Sequence, residues 1–186
     1  IRPLFGTLRE DGLRQYRQAY IEVPRKNGKS NLCAAIALYL LFADGEPGAE
    51  IISAAGDRNQ ARIVFEIASA MCANDPKLSG HGKVLRNTIE YKNSFYKAIS
   101  AEAKTKHGFN AHAVILDELH VFPDRELYDV LKTSTGARTQ PLVIAITTAG
   151  HDTSSICYEL HDYAKKVKDG SVVDDTFLPV IYAAGK

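Results

Sequence analysis

The chain has 186 residues, 45% hydrophobic and 24% charged, with a net charge of +1. This suits one ordinary globular domain and excludes a molecule that attracts polyanions over its whole surface, so any nucleic-acid surface must be a local patch. No apolar run approaches the roughly 20 residues of a membrane helix, the opening residues do not read as a secretory signal, and three scattered cysteines (Cys33, Cys72, Cys157) read as reduced thiols in a cytosolic protein.

The first 30 residues are the most basic part, with Arg2, Arg9, Arg14, Arg17, Arg25, Lys26 and Lys29 against Glu10, Asp11 and Glu22. Residues 19–23 read as a short apolar strand, and residues 29–42, rich in alanine and leucine, as a helix. A second strand is expected at 50–55. An amphipathic helix follows over 57–73, with Asp57 as its N-cap and Ile63, Ile67 and Ala70 at helical spacing. Cys33 and Cys72 fall in these helical patterns and read as core. Residues 83–100 are rich in β-branched and aromatic side chains around Asn87 and Asn93, which predicts two or three antiparallel strands at a sheet edge. Strands at 113–117 and 142–147 are continuously apolar. Helices are expected at 124–133 and 154–168, and a last strand at 176–182. The cluster Lys165, Lys166 and Lys168 reads first as a solvated face. Continuous apolar strands alternating with helices predict a mainly parallel sheet covered on both faces, in a single α/β domain.

In such a sheet, ligands bind beyond the carboxyl ends of the strands, and three strand ends carry suitable residues. The first is VPRKNGKS, residues 23–30. It ends like a phosphate-binding loop, G-x-x-x-x-G-K-[ST], but Val23 stands where the first glycine belongs. Gly28 lets the backbone approach a phosphate, and the following helix N-terminus faces the anion. Lys29 would neutralise phosphates and Ser30 would ligate Mg²⁺. Pro24 can stiffen the entry turn by fixing its own φ. The second is VILDE, residues 114–118, an apolar strand ending in acids as in the Walker B pattern. Asp117 would hold Mg²⁺, directly or through water, and Glu118 would orient and deprotonate the attacking water. The third is IAITTAG, residues 144–150, in which Thr147 and Thr148 would sense the γ-phosphate. Together these are the parts of a Mg-ATP site, because phosphoryl transfer is chiefly positioning and charge stabilisation.

As an ordered set, VPRKNGKS, VILDELH (114–120) and TTAG (147–150) closely resemble the large terminase subunit of tailed double-stranded DNA phages. AAGDRNQA (54–61) and TGARTQP (135–141) look like the same family, so the resemblance spans about residues 20–150. It implies a P-loop fold of the additional-strand, RecA-like class, and an ATPase that pumps double-stranded DNA into a procapsid. Deviant phosphate loops with added basic residues are common in that family. Arg25, Lys26 and Asn27 would thus join Pro24, Gly28, Lys29 and Ser30 around the nucleotide, with Arg25 and Lys26 meeting the γ-phosphate. The implied cofactors are ATP and Mg²⁺. The implied partners are DNA, a portal protein, a small terminase subunit and further copies in a ring, in the host cytoplasm and away from any membrane. An adenine-contacting glutamine is expected before Ile1, since Gln15 and Gln18 lack its flanking pattern, and a nuclease domain is expected beyond residue 186. Residues 1–186 thus read as an ATPase domain incomplete at its N-terminus, without its nuclease partner.

Two arginines have possible coupling roles. Arg58 follows the second strand, where related motors couple ATP to DNA, but it also reads as a solvated first-turn residue. Arg138 precedes the third-motif strand and could reach a phosphate or a neighbouring subunit. Some terminases carry a trans-acting arginine shortly before the Walker B strand. Here that region has Lys104 and Lys106 and no arginine, and Lys106 or another residue would have to substitute. His120 reads weakly as a metal ligand, with no second ligand at zinc spacing. Two other functions share some of these features: a P-loop helicase or other DNA-remodelling ATPase, and a non-enzymatic module that docks on a portal or small terminase subunit.

Overall fold

The computed structural model describes residues 1–101, 108–150 and 152–182. In chain order, α1 (Arg2–Gly6), β1 (Gln18–Glu22), α2 (Lys29–Phe42), β2 (Glu50–Ala55), α3 (Arg58–Asn74) and α4 (Pro76–Ser79) make up the first half. β3 (Lys83–Val84), β4 (Thr88–Tyr91), β5 (Ser94–Ser100) and β6 (Ala111–Asp117) follow. After a 3-10 turn at Leu119–Val121 come α5 (Glu126–Thr133), β7 (Leu142–Thr147), α6 (Ile156–Lys168) and β8 (Phe177–Ile181).

The strands form an eight-stranded sheet in the order β3-β4-β5-β2-β6-β7-β1-β8. β5, β2, β6, β7, β1 and β8 pair in parallel, and β3 and β4 extend the edge antiparallel. The expected mainly parallel sheet with an antiparallel edge is therefore present.

Side chains alternate across a strand, so a strand buried on both faces must be apolar throughout. In β6, Ala113 and Ile115 join one core with Cys33, Ile36, Leu40, Val64 and Phe65 of α2 and α3. Val114 and Leu116 join the other with Leu127, Leu131, Ile156 and Leu160 of α5 and α6. The domain is thus a three-layer sandwich with two apolar cores, and all three cysteines are buried free thiols.

Local chemistry sets the helix ends. The Asp57 carboxylate accepts from Asn59 N and Gln60 N at 2.8 and 3.0 Å, satisfying donors that the first turn of α3 leaves open. Ser155 caps α6 through Tyr158 N, and the lysines of its last turn complement the negative helix end. The buried face of α3 differs from the expected stripe. Ala61, Val64, Phe65, Ala68 and Cys72 point inward, while Ile63 is 42% exposed. Small Ala61 and Ala68 let α3 approach the sheet and α2, and that face prevails over the one carrying Ile63, while Ile67 packs half-buried at its edge.

At the end of the sheet where the parallel strands begin, a buried polar network joins segments distant in sequence. Arg14 pairs with Asp44 and donates to the Gln140 carbonyl at 2.7 Å. The other Asp44 oxygen lies 2.7 Å from Nε2 of His112, which is fully buried within β6.

Candidate nucleotide site

The opposite end, where β1, β2, β6 and β7 terminate, brings the motif residues together. Val23 N donates to the Thr147 carbonyl at 3.1 Å, fastening the start of the loop to the end of β7. Asn27 Nδ2 donates to the Pro24 carbonyl at 3.0 Å, closing the loop on itself. Lys26 and Gly28 have φ of 65° and 68°. Left-handed residues in such a turn direct backbone N–H groups into a concavity suited to anions, and at Gly28 a side chain would be strained by the backbone alone. Gly28 is also the N-cap of α2, whose first turn carries no acid, so its positive end faces the loop. Arg25 and Lys26 are exposed on the loop.

Lys29 and Ser30, at the start of α2, face the end of β6. Lys29 is 6% exposed, and its Nζ lies 3.2 Å from Glu118 Oε1. Ser30 Oγ donates a long hydrogen bond of 3.4 Å to Asp117 Oδ2. Asp117 is fully enclosed, and its Oδ1 has no hydrogen-bond partner. Burial and then the neighbouring Glu118 charge push its carboxyl up to about 6, against the opposing pull of the Cys33 thiol, Lys29 and Ser30. A buried acid with an unbonded oxygen beside a hydroxyl is a donor set that a hard cation such as Mg²⁺ fits. No group of three His, Cys, Asp or Glu suited to a metal occurs among the described residues. A Mg²⁺ held by one carboxylate, one hydroxyl and phosphate oxygens needs none.

Glu118 sits in the left-handed region at φ 52°, which turns its side chain back toward the loop. Its Oε2 lies 3.2 Å from His120 Nδ1 yet makes no aligned hydrogen bond, so the contact is a close approach. His120 also meets the third motif: Nδ1 is 3.1 Å from Thr147 Oγ1 and 3.4 Å from Thr148 Oγ1. Thr147 is fully buried and Thr148 nearly so.

The remaining expected residues have other surroundings. Arg58, in the first turn of α3, lines a cavity of about 680 Å³ with Arg62, Arg86 and Lys97. Arg138, expected to reach a phosphate or a neighbouring subunit, is placed away from the phosphate loop of its own chain. It lies before β7, hence at the far end of the sheet, where its guanidinium donates to the carbonyls of Asn110 and Gly48, both at 2.8 Å, and pairs with Glu46 at 3.2 Å. It clamps strand beginnings there. Lys104 and Lys106 lie outside the described residues. His120, weighed as a metal ligand, instead contacts Glu118 and both threonines.

Sequence reasoning also passed over Glu22. Buried at the end of β1, directly before the loop, it accepts from Tyr20 Oη at 2.8 Å and lies 2.8 Å from His161 Nδ1 of α6. An acid closing an apolar strand was a visible signal, but its partner stands far along the chain.

A family model for the terminase large subunit, ATPase domain, matches residues 2–166. The large terminase subunit of Enterobacteria phage HK97 is 35% identical over 165 residues, which cover 83% of this chain and 32% of that protein. The crystal structure of the HK97 large terminase superposes with a TM-score of 0.80 at 30% identity, over 92% of this chain and 36% of that one. The ATPase domain of the Thermus phage P74-26 large terminase matches at a TM-score of 0.63 and 19% identity, over 85% and 71% of the two chains, a likeness of fold. The chain thus spans about a third of the HK97 protein.

Proposed function

The chain belongs to the family of terminase large-subunit ATPase domains, and from that premise we propose that it is the ATP-hydrolysing motor that drives double-stranded DNA into a phage procapsid. One observation carries the reading. Lys29 and Ser30 of the phosphate loop meet Asp117 and Glu118, and each acid keeps a buried oxygen without a hydrogen bond.

Roles follow from that geometry. The Gly28 backbone and the α2 N-terminus cradle the phosphates, with Lys29 as their buried counter-charge. Ser30 and Asp117 hold Mg²⁺, which when bound neutralises charge on the transferring phosphoryl group. Glu118 is the general base for the attacking water. Before nucleotide arrives Lys29 occupies Glu118, so the base is held idle until phosphate draws the lysine away. Pro24 and Asn27 shape the loop, and the exposed Arg25 and Lys26 are the cations that meet the γ-phosphate. Thr147 and Thr148 report the state of the site, and Arg58 couples it to DNA.

The working assembly in this reading is a ring of copies on a portal protein, served by a small terminase subunit in the host cytoplasm, with a nuclease domain elsewhere in the full-length subunit. No helix among the described residues is long and apolar enough to cross a membrane. The test is Mg-dependent ATP hydrolysis by the parent, Lys29→Ala and Glu118→Ala. Collapse in both variants supports the site. Parent-like hydrolysis in both would falsify it. DNA packaging into procapsids by the full-length subunit, lost in the same variants, tests the motor function.

A further inference from the structure

His120 touches both the hydrolytic acid and the end of β7, and its Nδ1 stands between Thr147 Oγ1 and Glu118 Oε2. Thr147 Oγ1 donates its own proton to the Thr148 carbonyl at 3.0 Å. Toward His120 it can therefore only accept, which puts a proton on Nδ1. That N–H now faces Thr147 at 3.1 Å, with Glu118 Oε2 only 3.2 Å away and unaligned. One N–H cannot serve both acceptors in good geometry. The turn carrying His120 is tightly held. The His120 backbone N–H also points to Thr147 Oγ1, at 3.3 Å. A Cβ on Gly150 would stand 3.2 Å from His120 Cβ, and one on Gly56 would stand 2.8 Å from Val121 Cγ2. The backbone is fixed, and the imidazole is the part left to choose.

Beyond Thr147 the contacts run on without a break. Thr147 Oγ1 lies 3.7 Å from Cys157 Sγ, and Cys157 Sγ lies 3.9 Å from Tyr20 Oη. Tyr20 donates to Glu22, and Glu22 meets His161. Cys157 and His161 both belong to α6, so the third-motif threonine is bonded directly and indirectly to one helix.

We infer that His120 is the positioning residue of Glu118 and the switch between the site and α6. When phosphate draws Lys29 away, the Nδ1–H turns from Thr147 to Glu118 Oε2. That leaves Oε1 free for water, and the bond lost at Thr147 changes what β7 and Cys157 transmit to α6. The inference rests on the ATPase reading above and adds a residue and an output element to it.

The experiment uses two readouts on this chain. Steady-state ATPase assays compare the parent with His120→Ala and His120→Asn, the asparagine restoring an N–H donor. The second readout exploits the absence of tryptophan. Tyr158→Trp, on α6 and 41% exposed, gives a single fluorescent reporter of that helix, read while a non-hydrolysable ATP analogue is added. In His120→Ala, kcat should fall at least about tenfold with KM for ATP within about twofold, and His120→Asn should recover most of the loss. The Tyr158→Trp response to the analogue should vanish with either His120→Ala or Thr147→Val, while binding of a fluorescent ATP derivative persists. The inference is overturned by parent-like kcat in His120→Ala, by asparagine behaving no better than alanine, or by an unchanged reporter response. If His120→Ala does not fold, the asparagine and valine variants decide it alone. A parent that binds no nucleotide overturns the ATPase reading itself and this inference with it. Intact binding with a silent reporter in the parent overturns the inference only.

Discussion

Asp44 and Asp117 lie at opposite ends of one sheet, both almost fully enclosed, and their acidities move in opposite directions. At Asp44, burial by itself would raise the pKa, but hydrogen bonds from His112 and Arg14 outweigh it and hold the carboxyl below its usual range. At Asp117, burial reinforced by Glu118 outweighs the opposing pull of Cys33, Lys29 and Ser30, and the carboxyl rises to about 6. The two ends also differ in what they leave unsatisfied. At the Asp44 end the unbonded atoms are nitrogens, Arg14 Nε and His112 Nδ1. At the Asp117 end they are carboxylate oxygens, Asp117 Oδ1 and Glu118 Oε2. The first end is finished by its own side chains and fastens the chain. The second has an excess of buried negative charge that only a bound cation would complete, which marks it as the working end.

The largest way to separate the ends is by activity. Glu118→Gln should lower kcat by about 10²–10⁴-fold, the scale of a lost general base, measured under saturating Mg-ATP. Its unfolding midpoint should stay near the parent's, because relief of the repulsion between Glu118 and Asp117 offsets the lost pairing with Lys29. Arg14→Ala should do the reverse. It leaves Asp44 buried with a single partner, so urea unfolding should show a loss of about 3–5 kcal/mol, while kcat per folded molecule stays at the parent value. A variant at either end that lowered both activity and stability would erase the distinction. Next in size is Asp117→Asn. It should abolish Mg-dependent hydrolysis yet stabilise the nucleotide-free chain near pH 7.5 by up to about 3 kcal/mol, the linkage equivalent of the raised carboxyl. Unchanged or lower stability in that variant would mean that the buried charge costs the fold nothing.

How legible each end was follows from geometry. The bounds of α2, β2 and β7 match their expected spans, because alanine- and leucine-rich or continuously apolar runs leave little alternative. The site was legible as three separate motifs, since a parallel sheet carries all its strand ends to one side. The same rule, applied to what precedes a strand, puts Arg138 at the far end. Its nearness in sequence to the third motif was misleading. β6 starts two residues earlier than expected because His112 interrupts the apolar run, and its place in the core depends on Asp44, 68 residues away. α1 buries only Leu4, too little to leave a periodic signal. His120 was visible as a residue two places beyond Glu118. Its contact with Thr147 exists only once β6 and β7 lie side by side, which no local pattern reveals.

The smallest expected effect is the most direct contrast between the two aspartates, because their pH dependences oppose each other. The folded pKa of Asp117 lies above its ordinary 3.8. Between about pH 4 and 6 the folded chain therefore holds a proton that the unfolded chain has released, and stability falls as pH rises through that window. The folded pKa of Asp44 lies below 3.8. Its contribution is fully present above about pH 4 and is lost as pH falls through the folded value. Urea midpoints measured from pH 3.5 to 7.5 on the nucleotide-free chain should thus show a maximum near the acid end of that range. Asp117→Asn should flatten only the decline above it, and Asp44→Asn only the decline below it. If Asp117→Asn left the upper limb unchanged, the raised pKa would belong to some other group, and the unbonded oxygen of Asp117 would no longer account for the charge imbalance at the working end.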